Sequence, residues 1–203
     1  LRGTGNILGS QQHGFINAVG FDTYLKLLKD AIATLQSGRP KVEAAPAAKI
    51  NLDLPSFLPD DYILDSKQKL ALYRKISHVE DVNELEEIAR ELADRYGSLP
   101  SEALGLLAKT RLKIYASLLA LEAVFISESY CKLDFGRKIK YRLAPISSVL
   151  KDIEGEKKIL SLDPLSIILK PPTKSAALEK ITAALARMSE KPAAYIEDSS
   201  DIA

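Results

Sequence analysis

Residues 123–136 read AVFISESYCKLDFG, and here the chain changes its period. Upstream, apolar residues recur every three or four positions, the spacing of one helix face. Within the stretch they alternate instead, at Val124 and Ile126 and then at Cys131, Leu133 and Phe135. Successive side chains on a strand point to opposite faces, so the alternation predicts two strands, 123–129 and 130–136. KIKYRLA (138–144) reads as a third strand or an extension of the second, with Gly136 at the turn. KKILSL (157–162) and LSIILK (165–170) repeat the pattern around an Asp163-Pro164 turn. A short helix is expected over 145–151. A closing amphipathic helix is expected over 174–190, carried by Leu178, Ile181, Leu185 and Met188.

Working back toward the N-terminus, helical spacing predicts helices over 67–79, 82–96 and 101–121. The first is carried by Leu70, Leu72, Tyr73 and Ile76, and the second by Leu85, Ile88, Leu92 and Tyr96. The third is carried by Leu104, Leu107, Ala108, Leu112, Tyr115 and Leu119. Gly97 suits the end of the second, since glycine readily terminates a helix. Ile50, Leu52 and Leu54 alternate in a short extended segment that Pro55 and Pro59 interrupt. A further helix after Asp22 uses Tyr24, Leu27, Leu28, Ala31 and Leu35, and Gly38 and Pro40 stop it. The alanine-rich residues 38–49 then form a linker. The fold class is α+β, a helical N-terminal half followed by a small antiparallel sheet flanked by helices. Its parts are 1–37, the linker 38–49, an α+β domain over 50–190 and a loose tail over 191–203.

Composition excludes several functions. The 203 residues are 46% hydrophobic and 27% charged with a formal net charge of +1, so no global charge drives binding to nucleic acid or membrane. A single cysteine forbids an internal disulfide, and with only His13 and His78 beside it a structural zinc site is not expected. No apolar run approaches the roughly 18 residues of a membrane span, and no signal peptide is visible, so a cytoplasmic location is expected. The absence of an initiator methionine suggests a fragment. The chain has no GxxxxGK[ST] phosphate loop, no GxSxG elbow and no HExxH pair, so no catalytic residue is assigned. Cys131, in a predicted strand without a nearby histidine, reads as a half-buried apolar residue, and His78 as a cap for helix-end carbonyls.

Two charge patterns remain. Glu84, Glu87, Glu91 and Asp94 follow one another at steps of three and four, which places them on one face of the helix over 82–96. Like charges so spaced repel by about 0.2–0.5 kcal/mol per pair, and Arg90 and Arg95 relieve only part of it. Such a face either is simply solvated or docks on a basic partner that removes the repulsion. The second pattern is basic. Lys132, Arg137, Lys138, Lys140 and Arg142 interleave with Tyr130, Phe135 and Tyr141. A run of this kind can follow phosphates and stack bases. Alternation instead places Phe135 and Tyr141 in the core and leaves the lysines as edge-strand protection.

The glycine-rich opening LRGTGNILGSQQHG (1–14) followed by AVGFDTYLKLLKDAI resembles the end of the motor region in the bacterial transcription-repair coupling factors, the Mfd family. There the pattern runs approximately LRGxGNxLGxxQSGHIxxxGFxxYxxLLxxAV. INLDLPSFLPDDYILD and NELEEIARELADRYGSLP are similar to that family's C-terminal domain. The related RecG helicase shares the first kind of motif but not the second. The resemblance spans residue 1 to roughly residue 190.

It implies that Arg2, Gly9, Gln12 and Gly14 belong to a translocation motif coupling ATP hydrolysis to stepping on duplex DNA. Arg2 would lie on the second arm of a helical hairpin, and Gln12 in the loop reaching back toward the motor. His13 departs from the usual serine but leaves the glutamine in place. The implied parent is an ATP-dependent translocase that uses ATP and Mg, displaces stalled RNA polymerase and recruits excision repair. The fragment itself needs no cofactor. The resemblance also implies that the acidic face of Glu84, Glu87, Glu91 and Asp94 docks on the parent's own N-terminal UvrB-like module and masks its UvrA-binding surface, Glu91 and Asp94 matching positions that lie in that contact, with no membrane involved. The alternative is a nucleic-acid-binding accessory domain of a RecG-like helicase, with Lys132, Lys138 and Lys140 as the DNA contacts.

Overall fold

A computed structural model describes residues 48–197. The translocation motif (Arg2, Gly9, Gln12, Gly14), the helix after Asp22 and most of the linker lie outside the described residues. The elements are β1 (Lys49–Leu52), α1 (Ser66–His78), α2 (Val82–Tyr96), α3 (Ser101–Leu118), β2 (Leu121–Ile126), β3 (Cys131–Phe135), α4 (Leu143–Leu150), β4 (Glu156–Leu162), β5 (Leu165–Lys170) and α5 (Lys174–Ser189). The architecture is α+β, as the switch of period predicts.

Local chemistry sets the helix ends. Asp65 caps α1 by accepting the backbone N–H groups of Lys67 (2.7 Å) and Gln68 (3.0 Å), bonds that hold its carboxyl below the usual range. Asp81 caps α2 in the same way, accepting from Asn83 at 2.7 Å and Glu84 at 3.3 Å. Gly97, at φ 87°, ends α2 and returns its N–H to the Ala93 carbonyl. Thr173 caps α5 through the N–H of Ala176. His78 meets the Arg74 carbonyl at 2.8 Å, so it does cap a helix-end carbonyl.

Two cores share one helix. Leu58, Ile63, Tyr73, Ile76, Leu85, Ile88 and Leu92 join Leu106 and Ile114 of α3 in a helical core. Leu112 and Ala116 of the same α3, with Leu119 just past its end, enter a second core with the sheet, α4 and α5. Serving both, α3 buries positions around much of its circumference. Leu104, expected inside, is 52% exposed, while Ala103 and Leu106 take the inward places.

The five-stranded sheet runs β1-β2-β3-β5-β4, and it is not wholly antiparallel. β1 pairs with β2 in parallel, Ile50 opposite Val124, because three helices carry the chain back before β2 begins. The other pairings are antiparallel. Residues 138–144 form no third strand of the sheet. After Gly136 the chain turns, and Tyr141 makes one isolated bridge to Ile196. The alternation there has another cause: the Tyr141 ring inserts against Phe135, and its hydroxyl accepts the Gly136 N–H (3.2 Å) and lies 2.8 Å from the Ala120 carbonyl it can donate to. The tail expected to be loose from 191 is ordered through 197. Pro192–Ala194 make a 3-10 turn, and the Glu197 N–H donates to the Lys140 carbonyl at 2.9 Å.

Candidate functional site

The acidic face of α2 forms on a rigid support. Leu85, Ile88 and Leu92 are buried beneath it with at most 1% exposure, which fixes the rotation of the helix and turns Glu84, Glu87 and Asp94 outward. The end of α2 is tied down as well. Tyr62 approaches the carbonyls of Leu92 and Gly97 at 3.0 Å each, and Tyr96 donates to Gln68 Oε1 at 2.8 Å. Arg95 lies 5.2 Å over the Tyr96 ring.

The four carboxylates are not equivalent. Glu91 pairs with Lys75 Nζ of α1 at 2.7 Å and with Arg95 at 2.9 Å, one turn along α2. These bonds hold its carboxyl below the usual range, the Lys75 bond first and the Arg95 bond second. Among the described residues the carboxylates of Glu84, Glu87 and Asp94 have no hydrogen-bond or ion-pair partner. Glu87 and Asp94 border a shallow depression with Arg90, Glu91 and Arg95. Lys75 escapes sequence reasoning because it sits sixteen residues away on another helix, although its place in the last turn of α1 is a weak signal.

Because Glu91 has a lowered folded-state pKa, its contribution to stability is present above the unfolded-state value and is lost as pH falls through the folded-state value. Both partners are partly solvated, so Glu91→Gln is expected to cost only about 0.5 kcal/mol near neutral pH. Urea unfolding at neutral pH and at a pH below the folded-state value should show that cost shrink at the lower pH. An equal cost at both pH values would mean that the ion pairs are not its origin.

The basic run does not form one surface. Lys132 lies on the sheet face opposite the helices, paired with Asp134 at 2.9 Å and 5.6 Å from the Phe125 ring centroid. Asp134 in turn accepts the Ser166 hydroxyl at 2.7 Å. Arg137 pairs with Glu122 at 3.4 Å. Lys138 and Lys140 are exposed and border a depression of about 440 Å³ together with Leu162, Pro164 and Glu197. Phe135 is fully buried and Tyr141 half-buried, so neither ring is open to a base. Edge protection is not the role of Lys132 either, since β3 is the middle strand.

Cys131 is buried in β3 opposite Leu169, and burial pushes its thiol up to about 11, so it packs as a neutral apolar group. Among the described residues no cluster of His, Cys, Asp or Glu could hold a metal ion, and no helix is long and apolar enough to cross a membrane.

Comparison with known proteins places this geometry. The TRCF domain model matches residues 52–145, which include the whole acidic face and its Lys75 partner. Transcription-repair-coupling factors are similar to the chain: 40% identity over 116 residues in Bacillus subtilis (strain 168), 57% of this chain and 10% of that protein. In Escherichia coli (strain K12) the identity is 38% over 141 residues, 68% of this chain and 12% of that protein. In Staphylococcus epidermidis (strain ATCC 35984) it is 33% over 170 residues, 84% of this chain and 14% of that protein. The chain therefore spans 10–14% of the length of these relatives. The crystal structure of the C-terminal domain of transcription-repair coupling factor superposes with a TM-score of 0.63 at 22% identity, covering 71% of this chain and 94% of that one. With that fold, and with relatives of one kind across its helices and strands, the chain belongs to the transcription-repair coupling factor family.

Proposed function

We propose that this chain is the C-terminal regulatory portion of an ATP-dependent DNA translocase that displaces stalled RNA polymerase and recruits excision repair through UvrA. The motor, its ATP and Mg, and its DNA and polymerase contacts belong to the parent outside these residues, and a cytoplasmic location goes with that reading. Arg2, Gly9, Gln12 and Gly14 would contribute the end of the translocation motif. The regulatory act is an intramolecular docking in which α2 covers the UvrA-binding surface of the parent's UvrB-like N-terminal module until the motor engages.

One observation carries this reading: among the described residues, Glu84, Glu87 and Asp94 stand unpartnered on a helix whose orientation is fixed by a buried face. Unrelieved like charge on a rigid support favours an oppositely charged partner, which removes the repulsion as it docks. Lys75 and Arg95 already neutralise Glu91, so its part is to keep the end of α2 in register.

The test is calorimetric titration of the 203-residue chain with the separately expressed UvrB-like module at two salt concentrations. Glu87→Lys with Asp94→Lys breaks no internal ion pair among the described residues and is expected to weaken binding at least about 10-fold at low salt. Unchanged affinity would remove the acidic face from the contact, and absence of binding at either salt would remove the clamp itself. DNA contact through Lys132, Lys138 and Lys140 is the competing reading. It is less favoured because Lys132 is already paired with Asp134, and its signature would be steeply salt-dependent DNA binding by this chain.

A further inference from the structure

β4 closes one end of the sheet. One of its edges pairs with β5, and the other pairs with no strand among the described residues. All its residues but Ser161 are exposed, and Ile159, Leu160 and Leu162 show 41%, 48% and 69% of their surface to solvent. Natural edges are usually kept short or guarded by charge along their length. Here Glu156, Lys157 and Lys158 guard the first half, and the second half is a bare backbone edge flanked by aliphatic side chains. Such an edge is a template for another strand.

The charge pattern selects the occupant. In an antiparallel two-fold pairing with Leu160 on the axis, Lys157 falls opposite Asp163 of the second copy, and symmetry repeats the pair at the other end. Lys158 then faces Leu162, and Ile159 faces Ser161. Centring on Ile159 loses both ion pairs, and centring between Ile159 and Leu160 sets Glu156 against Asp163. Centring between Leu160 and Ser161 replaces them with Lys158–Asp163 pairs that a change at Lys157 would leave intact. A parallel in-register pairing stacks Lys157 and Lys158 on their own copies. Leu160 also sits at the irregularity where the β4–β5 register shifts between Ile159 and Ser161, so the axis falls where the ladder is already interrupted. We propose that β4 is a homodimerisation edge, two copies of this chain pairing β4 with β4 antiparallel about Leu160 to make one continuous sheet.

Sedimentation equilibrium of the 203-residue chain over about 1–500 μM tests this, the range in which a small interface associates. The mass is expected to rise from one copy to two. Leu160→Lys with Leu162→Lys, at positions already exposed, should hold it at one copy throughout while the circular dichroism stays unchanged. Lys157→Asp should weaken association at least about 10-fold, and adding Asp163→Lys should restore most of it, as expected for a direct ion pair. A one-copy mass at every concentration would overturn the proposal. A two-copy mass indifferent to the leucine substitutions would do the same, and dimers that ignore the charge exchange would overturn the register.

Discussion

Gly105→Ala is expected to destabilise the protein by about 3 kcal/mol, although alanine is the better helix former by about 1 kcal/mol. The reversal of sign comes from packing. Gly105 lies inside α3 where the helix passes the Pro55 backbone, and an added β-carbon would stand 2.1 Å from the Pro55 carbonyl oxygen and 3.2 Å from its carbon. These are main-chain atoms of a segment fastened both to α3 itself and to α1. The Phe57 N–H donates to the Glu102 carbonyl at 3.2 Å, and the Leu58 N–H donates to the buried Tyr73 hydroxyl at 2.8 Å. The segment therefore has to break a bond to move, or α3 has to shift within two cores at once. A lower denaturant midpoint with an unchanged slope is the expected record. A neutral or stabilising result would show that residues 53–59 yield freely and that the close approach is not structural.

Phe135→Ala is the second large effect, expected at about 3–5 kcal/mol. Phe135 has no exposed surface, stands in the middle strand, and meets Tyr141 edge to face with centroids 4.8 Å apart. Its removal opens a cavity that strands paired on both sides cannot close. A second readout separates this from generic loosening. Tyr141 would lose its seat and with it the bond from the Gly136 N–H, so the amide of Gly136 should exchange with solvent faster in Phe135→Ala. Tyr130→Ala, at an exposed turn position, should be nearly silent by both measures. A cost below about 1 kcal/mol for Phe135→Ala would mean that the ring does not anchor the core.

Both residues show where sequence reasoning reaches and where it stops. Alternation alone marks Phe135 as inward-facing, because strand geometry is local and repeats every two residues. The edge-to-face contact with Tyr141 is invisible to it, and the same Tyr141 makes 138–144 resemble a strand it does not form. Gly105 carries a faint signal, an isolated glycine within a helical run, yet nothing local names Pro55 as its neighbour. Leu104 is misplaced for a related reason: a simple stripe assumes one core, and α3 serves two.

The candidate site divides along the same line. The spacing of Glu84, Glu87, Glu91 and Asp94 places them on one face of α2 before any coordinates are known, since a helix repeats every 3.6 residues. The end of α2 at Gly97 follows equally from neighbouring backbone groups. By itself, then, the sequence determined the helix and strand periods, the α+β class and the shared acidic face, all products of interactions within a few residues. Tertiary structure alone decided that Lys75 neutralises Glu91, that β1 joins β2 in parallel, that Lys132 lies in mid-sheet beside Asp134, and that β4 is the last strand of the sheet among the described residues. Each of these depends on which distant segments meet, and that is set by how two cores close around α3 rather than by any pattern along the chain.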